Sequence, residues 1–167
     1  NSKKVLDMCA APGGKTIQLI CNKAEVVSYD KNKNKVSIMK KNLRRLNFNN
    51  EVINKDSLEI NSKNKFDVVI IDAPCSSIGT IRRNPEIFYR HSSPNFKYIT
   101  SIQYKFLNKA KNLVKDKGII IYMVCSFLNN EGNSQIERFL NENKNFSLVK
   151  FFSKNRDINE LINAKGF

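Results

Sequence analysis

Two cysteines stand where a thiol can do covalent chemistry. Cys75 follows a strongly apolar run at residues 66–71, and Cys125 follows a second apolar run at 118–124. If these runs are neighbouring parallel strands, both thiols and the carboxylate of Asp72 face one cleft. Because a thiolate is a strong nucleophile, this grouping indicates a transfer reaction that proceeds through a covalent intermediate.

The remaining cysteines and the single histidine narrow the chemistry further. No two of the four cysteines form a Cys-x-x-Cys pair, so a zinc knuckle is not expected. One histidine, His91, excludes a three-histidine zinc site. Cys21 lies in an apolar helical run and is expected to be a buried, inert side chain. We expect free thiols, no metal and a cytoplasmic protein, because the basic chain starts with no signal peptide.

A turn of small residues joins the first apolar run to the first helix. It consists of Cys9, Ala10, Ala11, Pro12, Gly13, Gly14 and Lys15. Glycines let a backbone approach a ligand closely, and a helix N-terminus favours negative charge. The end of the turn is similar to a phosphate-binding P-loop, but Cys9 stands where that motif needs a glycine, and the dinucleotide pattern is absent. Neither ATP nor NAD is therefore expected.

Two aspartates at strand ends favour a nucleoside cofactor. Asp30 ends the second strand, where a carboxylate can accept hydrogen bonds from ribose hydroxyls. Asp56 ends the third, where it can accept from an adenine amino group. The alternative is that both are ordinary loop residues, since aspartate is common at such places. A nucleoside without a pyrophosphate is consistent with S-adenosylmethionine, whose methyl transfer would use the nucleophilic thiol.

The elements that must position these residues alternate between strand and helix. Strands are expected at residues 4–9, 25–29, 51–54, 66–71, 118–124 and 147–152, and helices at 16–21, 36–46, 102–114 and 131–141. The continuous apolar runs predict strands buried on both faces, in a doubly wound α/β fold with a mostly parallel sheet. The aperiodic stretch at 76–95 is expected to be a functional or mobile loop.

Composition adds an expectation about partners. Lysine and arginine total 29 against 15 acidic residues, which gives a net charge of +14. Such an excess suits a nucleic acid, although a genome-wide bias toward lysine produces the same balance. No apolar run approaches the roughly 18 residues of a membrane helix, so a membrane partner is not expected.

Three stretches carry a resemblance to a known family. They are LDMCAAPGGKT at 6–16, DAPCSSIGTIRRNPE at 72–86 and VCS at 124–126. In this order the chain resembles the Sun-type (Fmu-type) RNA cytosine-5 methyltransferases over nearly its whole length. The arginine pair, Pro85 and Glu131-Gly132 resemble the bacterial branch that acts on small-subunit ribosomal RNA. The resemblance implies a Rossmann-like class I fold that uses S-adenosylmethionine.

The resemblance also implies roles for individual residues. Cys125 is the nucleophile that adds to cytosine C6, Cys75 assists loss of the C5 proton and release of the enzyme, and Asp72 hydrogen-bonds the base edge. The cofactor contacts fall on residues 9–15, Asp30, Asp56 and Asp72. Lys15 is expected to contact RNA and to lower a thiol pKa. Arg82 and Arg83 are expected to contact RNA phosphates, and His91 is expected to be structural or a further RNA contact.

Some positions depart from the family pattern, and other functions stay open. Val124 stands where threonine is usual, Lys35 where arginine is common, and Gly132 where many members have asparagine. The alternatives are a tRNA methyltransferase, a DNA cytosine-5 methyltransferase with Cys75 as nucleophile, and a non-enzymatic RNA-binding module. We expect residues 1–167 to be a monomeric catalytic-domain fragment without its RNA-binding module and last strand.

Overall fold

A parallel β-sheet organises the chain. The computed structural model describes residues 2–90 and 92–149. Within them the five strands are β1 (Lys4–Asp7), β2 (Glu25–Tyr29), β3 (Glu51–Ile53), β4 (Phe66–Asp72) and β5 (Val114–Met123). The strand order is β3-β2-β1-β4-β5, and every pairing is parallel. The carboxyl ends of all five strands therefore meet at one edge, as the α/β prediction requires.

The described residues form four α-helices, of which the first three connect strands and the last follows β5. They are α1 (Gly14–Cys21), α2 (Lys33–Arg45), α3 (Phe96–Leu113) and α4 (Asn133–Glu142). Short 3₁₀ helices occupy Ser57–Glu59, Ile78–Thr80 and Pro85–Tyr89. The last two lie at residues 76–95, where the apolar residues show no regular spacing in the sequence.

Asparagine caps place two helix starts earlier than the sequence prediction did. The Asn32 side chain accepts from Lys35 N at 3.0 Å, and the Asn95 side chain accepts from Tyr98 N at 3.0 Å. A side-chain acceptor at this position satisfies a backbone donor that has no partner within the helix. The prediction relied on regularly spaced apolar residues, and these begin only after the first helical turn.

The core lies mainly between the sheet and the helices α3 and α4. Leu6, Val69 and Ile71 from the strands pack there with Leu107 of α3 and Phe139 of α4, all at most 4% exposed. A second cluster on the opposite face forms around Val5, Val26 and Ile70, against the apolar side of α1. Helices on both faces of a parallel sheet confirm the doubly wound architecture.

Two details of the predicted fold are wrong, and a third, the sixth strand, lies partly outside the described residues. Cys21 is exposed, because it ends α1 and turns away from the core. β5 is not buried on both faces: Ile119 and Ile121 are 44% and 39% exposed, because the described helices leave part of that face uncovered. Residues 147–149 form no strand, and the rest of the expected sixth strand lies outside the described residues. No helix in the described ranges is long and apolar enough to span a membrane.

Candidate active site

Carboxylates from four strand ends surround Cys9. Burial and, after it, neighbouring negative charges together raise the pKa of the Cys9 thiol to about 12. These charges belong to Asp30, Asp7, Asp72 and Asp56. Cys9 is therefore a protonated lining residue and no nucleophile. Acceptors dominate this edge of the sheet, which suits a ligand rich in hydroxyl and amino donors and disfavours a polyphosphate.

The loop between β1 and α1 is held in shape from two sides. Ala11 N donates to Asp30 Oδ2 at 3.1 Å, and Gly13 N donates to Ala10 O at 2.8 Å. Gly13 has a φ of 105°, and a Cβ there would lie 2.8 Å from Met39 Cγ. Both observations require glycine at this position. The loop thus presents its backbone beside the Asp30 carboxylate.

Asp30 and Asp56 each serve a local structural role and retain free acceptor capacity. Asp30 Oδ1 accepts from Asn32 N at 2.8 Å. Asp56 Oδ1 accepts from Leu58 N at 3.0 Å, and its Oδ2 lies 3.7 Å from Lys31 Nζ. Each carboxylate oxygen has a second lone pair. These turn contacts are therefore compatible with hydrogen bonds to ribose or adenine.

Lys15 pairs with the carboxylate of Asp72, which ends β4. Its Nζ lies 2.6 Å from Asp72 Oδ2, and both side chains are about 40% exposed. This contact joins the cofactor loop to the segment that carries Cys75. Burial raises the pKa of both Cys9 and Cys75, and the lowering of a thiol pKa by Lys15 stays a prediction.

Asp7 is a site residue that the sequence analysis did not single out. It ends β1, is fully buried, and accepts from Thr16 Oγ1 at 2.7 Å. Burial raises its pKa, the Thr16 hydrogen bond lowers it, the charge of Asp72 raises it, and Lys15 lowers it. The net result is a pKa of about 6. The available signal was its place at a strand end, which it shares with the other aspartates.

The raised pKa of Asp7 predicts a pH dependence of stability. The folded protein holds this proton more tightly than the unfolded chain, whose carboxyl has a pKa of 3.8. The free energy of unfolding therefore falls as the pH rises from about 4 to about 6. Relative to Asp7→Asn, the unaltered protein should lose about 2–3 kcal/mol between pH 4 and pH 7 in urea titrations. Parallel pH profiles for the two proteins would contradict this assignment.

The two thiols after β4 and β5 are in contact. Cys75 Sγ lies 3.2 Å from Cys125 Sγ, and Ser77 Oγ lies 3.4 Å from Cys125 Sγ. Cys125 is exposed, whereas Cys75 is partly buried. Burial and the hydrogen bond with Cys125 raise the pKa of Cys75 to about 11, although the backbone N–H groups of Ser77 and Cys125 lower it. The strand order thus brings together the thiols that the sequence placed in one cleft.

The segment after Cys75 is fastened to the end of β5. Gly79 N donates to Cys125 O at 3.1 Å, and a Cβ at Gly79 would lie 3.1 Å from the same oxygen. Arg90 Nη1 donates to Ser76 O at 3.2 Å. A side chain at position 79 would therefore push against the backbone of Cys125. Neither Gly79 nor Arg90 was identified from the sequence as a site residue.

The expected RNA contacts lie on the outside of this segment. Arg82 and Arg83 are exposed on the turn between the two 3₁₀ helices. Within the described parts of the chain, neither side chain makes a hydrogen bond or an ion pair. His91 lies outside the described residues. Residues 2–90 and 92–149 also hold no group of three or more His, Cys, Asp or Glu that could bind a metal.

The fold defines the class of protein. A methyltransferase homolog protein from Pyrococcus horikoshii superposes with a TM-score of 0.73 at 30% identity, covering 91% of this chain and 48% of that one. An S-adenosylmethionine-dependent methyltransferase from Clostridium acetobutylicum shares the fold, with a TM-score of 0.50 at 16% identity over 71% of this chain and 41% of that one. The chain has the Rossmann-like class I methyltransferase fold, and S-adenosylmethionine is the cofactor of that class.

The family follows from closer relatives. The family model described as 16S rRNA methyltransferase RsmB/F matches residues 1–164, and the chain belongs to this family. Ribosomal RNA small subunit methyltransferase B of Photorhabdus laumondii is 34% identical over 145 residues, which are 84% of this chain and 34% of the relative. NSun6 from Pyrococcus horikoshii superposes with a TM-score of 0.75 at 27% identity over 84% of this chain and 37% of that one. The chain thus spans about a third of its curated relative's length. The resemblance seen in the sequence is confirmed.

Proposed function

We propose that this chain forms the catalytic centre of an enzyme that methylates cytosine C5 in 16S ribosomal RNA, using S-adenosylmethionine. The observation that carries the proposal is the contact of Cys75 and Cys125 at 3.2 Å. The pair lies at the same sheet edge as the carboxylates around Cys9. The names of the relatives support ribosomal RNA as substrate. Such a substrate would place the protein in the cytoplasm.

The carboxylates at this edge fit the hydrogen-bond donors of S-adenosylmethionine. We assign Asp30 to the ribose hydroxyls and Asp56 to the adenine amino group, because each keeps free acceptor capacity beyond its turn contacts. A Cβ at Gly14 would meet nothing within 4 Å, so the loop is open on that side. The backbone from Cys9 to Lys15 lies at the same edge of the sheet. When bound, the cofactor supplies an electrophilic methyl group.

Cys125 is the better placed nucleophile. Its thiol is exposed, so a cytosine ring can approach it. The Cys125 thiolate forms a bond to C6, and the electron pair of the C5–C6 double bond moves so that C5 becomes nucleophilic. C5 would then take the methyl group that S-adenosylmethionine supplies, and S-adenosylhomocysteine would leave. One difficult substitution thus becomes two easier steps.

Cys75 is suited to donate a hydrogen bond to Cys125 before the adduct forms and to act as the base after methyl transfer. Its raised pKa keeps it protonated, so its S–H donates to the Cys125 thiolate. After Cys125 has bonded to C6, that negative charge is gone and one cause of the raised pKa of Cys75 disappears. Cys75 then loses its proton to solvent, and its thiolate removes the C5 proton. The freed electron pair restores the C5–C6 double bond and expels Cys125 as a thiolate.

Asp72 and the arginines complete the proposed binding of substrate. Lys15 engages Oδ2 of Asp72. The carboxylate has further lone pairs and can accept from the cytosine amino group. Arg82 and Arg83 are exposed for phosphate contacts. Lys15 also stays partly exposed, which is compatible with its predicted approach to RNA.

A DNA-type mechanism would use Cys75 as the nucleophile. That assignment is disfavoured, because burial raises the pKa of Cys75 to about 11 and leaves little thiolate at neutral pH. It would also leave the exposed thiol of Cys125 without a task. The observations therefore favour Cys125.

Bisulfite mapping tests the substrate and the modified atom together. Ribosomal RNA and tRNA are compared between cells with and without the full-length gene product. We expect one cytosine of 16S ribosomal RNA to lose its protection from bisulfite when the protein is absent. Loss at a tRNA position instead would make tRNA the substrate. Unchanged protection in both RNA pools would contradict the proposal.

A further inference from the structure

We propose that Glu131 is a positioning residue that holds the two thiol-bearing segments in register. Its carboxylate hydrogen-bonds to Ser76, the residue after Cys75, and the Ser76 hydroxyl lies 3.4 Å from that of Ser126, the residue after Cys125. It does not touch either sulfur in the described contacts. Its importance for catalysis rests on the proposed function, whereas its effect on the spacing of the thiols does not.

The burial of Glu131 is unusual for a carboxylate. The residue is 0% exposed, and no lysine or arginine pairs with it among the described residues. Burial alone raises its pKa, but hydrogen bonds from Ser126, Ser76 and Gln103 hold that pKa below its ordinary value. A charge buried in this way is costly unless neutral donors compensate it fully. The donors that do so come from the segments around the thiols.

Glu131 is linked to the residues on both sides of Cys75 in the sequence. Ser76 N donates to Glu131 Oε1 at 2.8 Å, and the Ser76 hydroxyl donates to Oε2. Gln103 Nε2 lies 3.1 Å from Glu131 Oε1 and 3.0 Å from Pro74 O. Glu131 therefore fixes the residue after Cys75 directly and, through Gln103, the residue before it.

Contacts to the end of β5 complete the link. The Ser126 hydroxyl lies 3.4 Å from Ser76 Oγ, which itself donates to the Glu131 carboxylate. Tyr122 in β5 donates its hydroxyl to Glu131 O at 2.7 Å. One residue thus joins the backbone around both thiols. We expect it to set the distance between the two sulfurs.

Formation of a disulfide between the two thiols measures this distance without RNA or cofactor. The 167-residue chain is oxidised in a Cys21→Ser background, which removes an exposed thiol. Glutathione disulfide takes two electrons and two protons from the thiol pair and leaves as two glutathione molecules. Mass spectrometry follows the Cys75–Cys125 disulfide, and thermal unfolding reports the folded state. Methylation is assayed separately, so loss of the proposed function would leave this readout intact.

Removing the carboxylate oxygens of Glu131 should slow formation of the Cys75–Cys125 disulfide in the folded protein. Glu131→Met should reduce the rate of disulfide formation by roughly tenfold or more, because small displacements of reacting groups have large effects on rate. Glu131→Gln keeps an acceptor for Ser76 N and should stay within about threefold of the unaltered rate. Glu142→Gln is the matched control: this carboxylate on α4 pairs with Arg138 at 2.9 Å, and its rate should not change.

Two results would overturn the proposal. One is a folded Glu131→Met protein that forms the disulfide at the unaltered rate, which is what a purely structural role predicts. If Glu131→Met does not fold, Ser76→Ala decides, because it removes only the hydroxyl contact. Its rate should fall several-fold, and an unchanged rate would refute the positioning role.

Discussion

Replacement of Cys125 by alanine is expected to abolish methyl transfer to RNA. Without this sulfur no bond forms to C6, and cytosine C5 stays too weak a nucleophile to take the methyl group. We expect a loss of more than ~10⁴-fold, measured as transfer of a labelled methyl group to 16S ribosomal RNA by the full-length protein. Cys21→Ala is the matched control: its thiol is exposed at the end of α1, and activity should not change.

Replacement of Cys75 should have a different result. The Cys75→Ala protein can still add Cys125 to C6 and place the methyl group, but it lacks the base that removes the C5 proton. The adduct should therefore accumulate as a slowly migrating protein–RNA band on a denaturing gel, dependent on S-adenosylmethionine. The band should be absent in the double variant. A band that forms with Cys125→Ala instead would reverse the two roles and support the DNA-type assignment.

Replacement of Asp30 by alanine should weaken cofactor binding by about 100-fold. Two charge-assisted hydrogen bonds to ribose would be lost, and each contributes about 1.5 kcal/mol or more. The loop would also lose its contact to Ala11 N at 3.1 Å. Titration calorimetry with S-adenosylmethionine measures the change.

Asp67 provides the control for this experiment. It is also a hydrogen-bonded aspartate, 2.9 Å from Lys115 Nζ, but it lies near the amino end of β4. Asp67→Ala should therefore leave cofactor affinity unchanged. Equal affinities for the Asp30 variant and the unaltered protein would remove Asp30 from the cofactor site. Equal losses in both variants would indicate a general loss of structure.

The fold was largely predictable because its signals are local. Apolar runs predicted the central strands, and their alternation with helical periods predicted a parallel sheet. β2 was predicted with its observed bounds, Glu25–Tyr29. β5 starts at Val114, directly after α3, and not at residue 118. Polar residues at 115–117 hid this start, because the pairing of β5 with β4 is irregular between Val114 and Ile119.

The amino-acid sequence determined which chemical groups reach one edge of the sheet. Aspartates and cysteines directly follow the apolar runs that predict strands. In a parallel sheet the carboxyl ends of all strands lie at the same edge. Only the tertiary structure decided how these groups meet. Cys75 and Cys125 are 50 residues apart, and Ser76 and Glu131 are 55 apart. The burial that raises the pKa of Cys75 depends on elements that come together only in the folded chain, so no local pattern could report it.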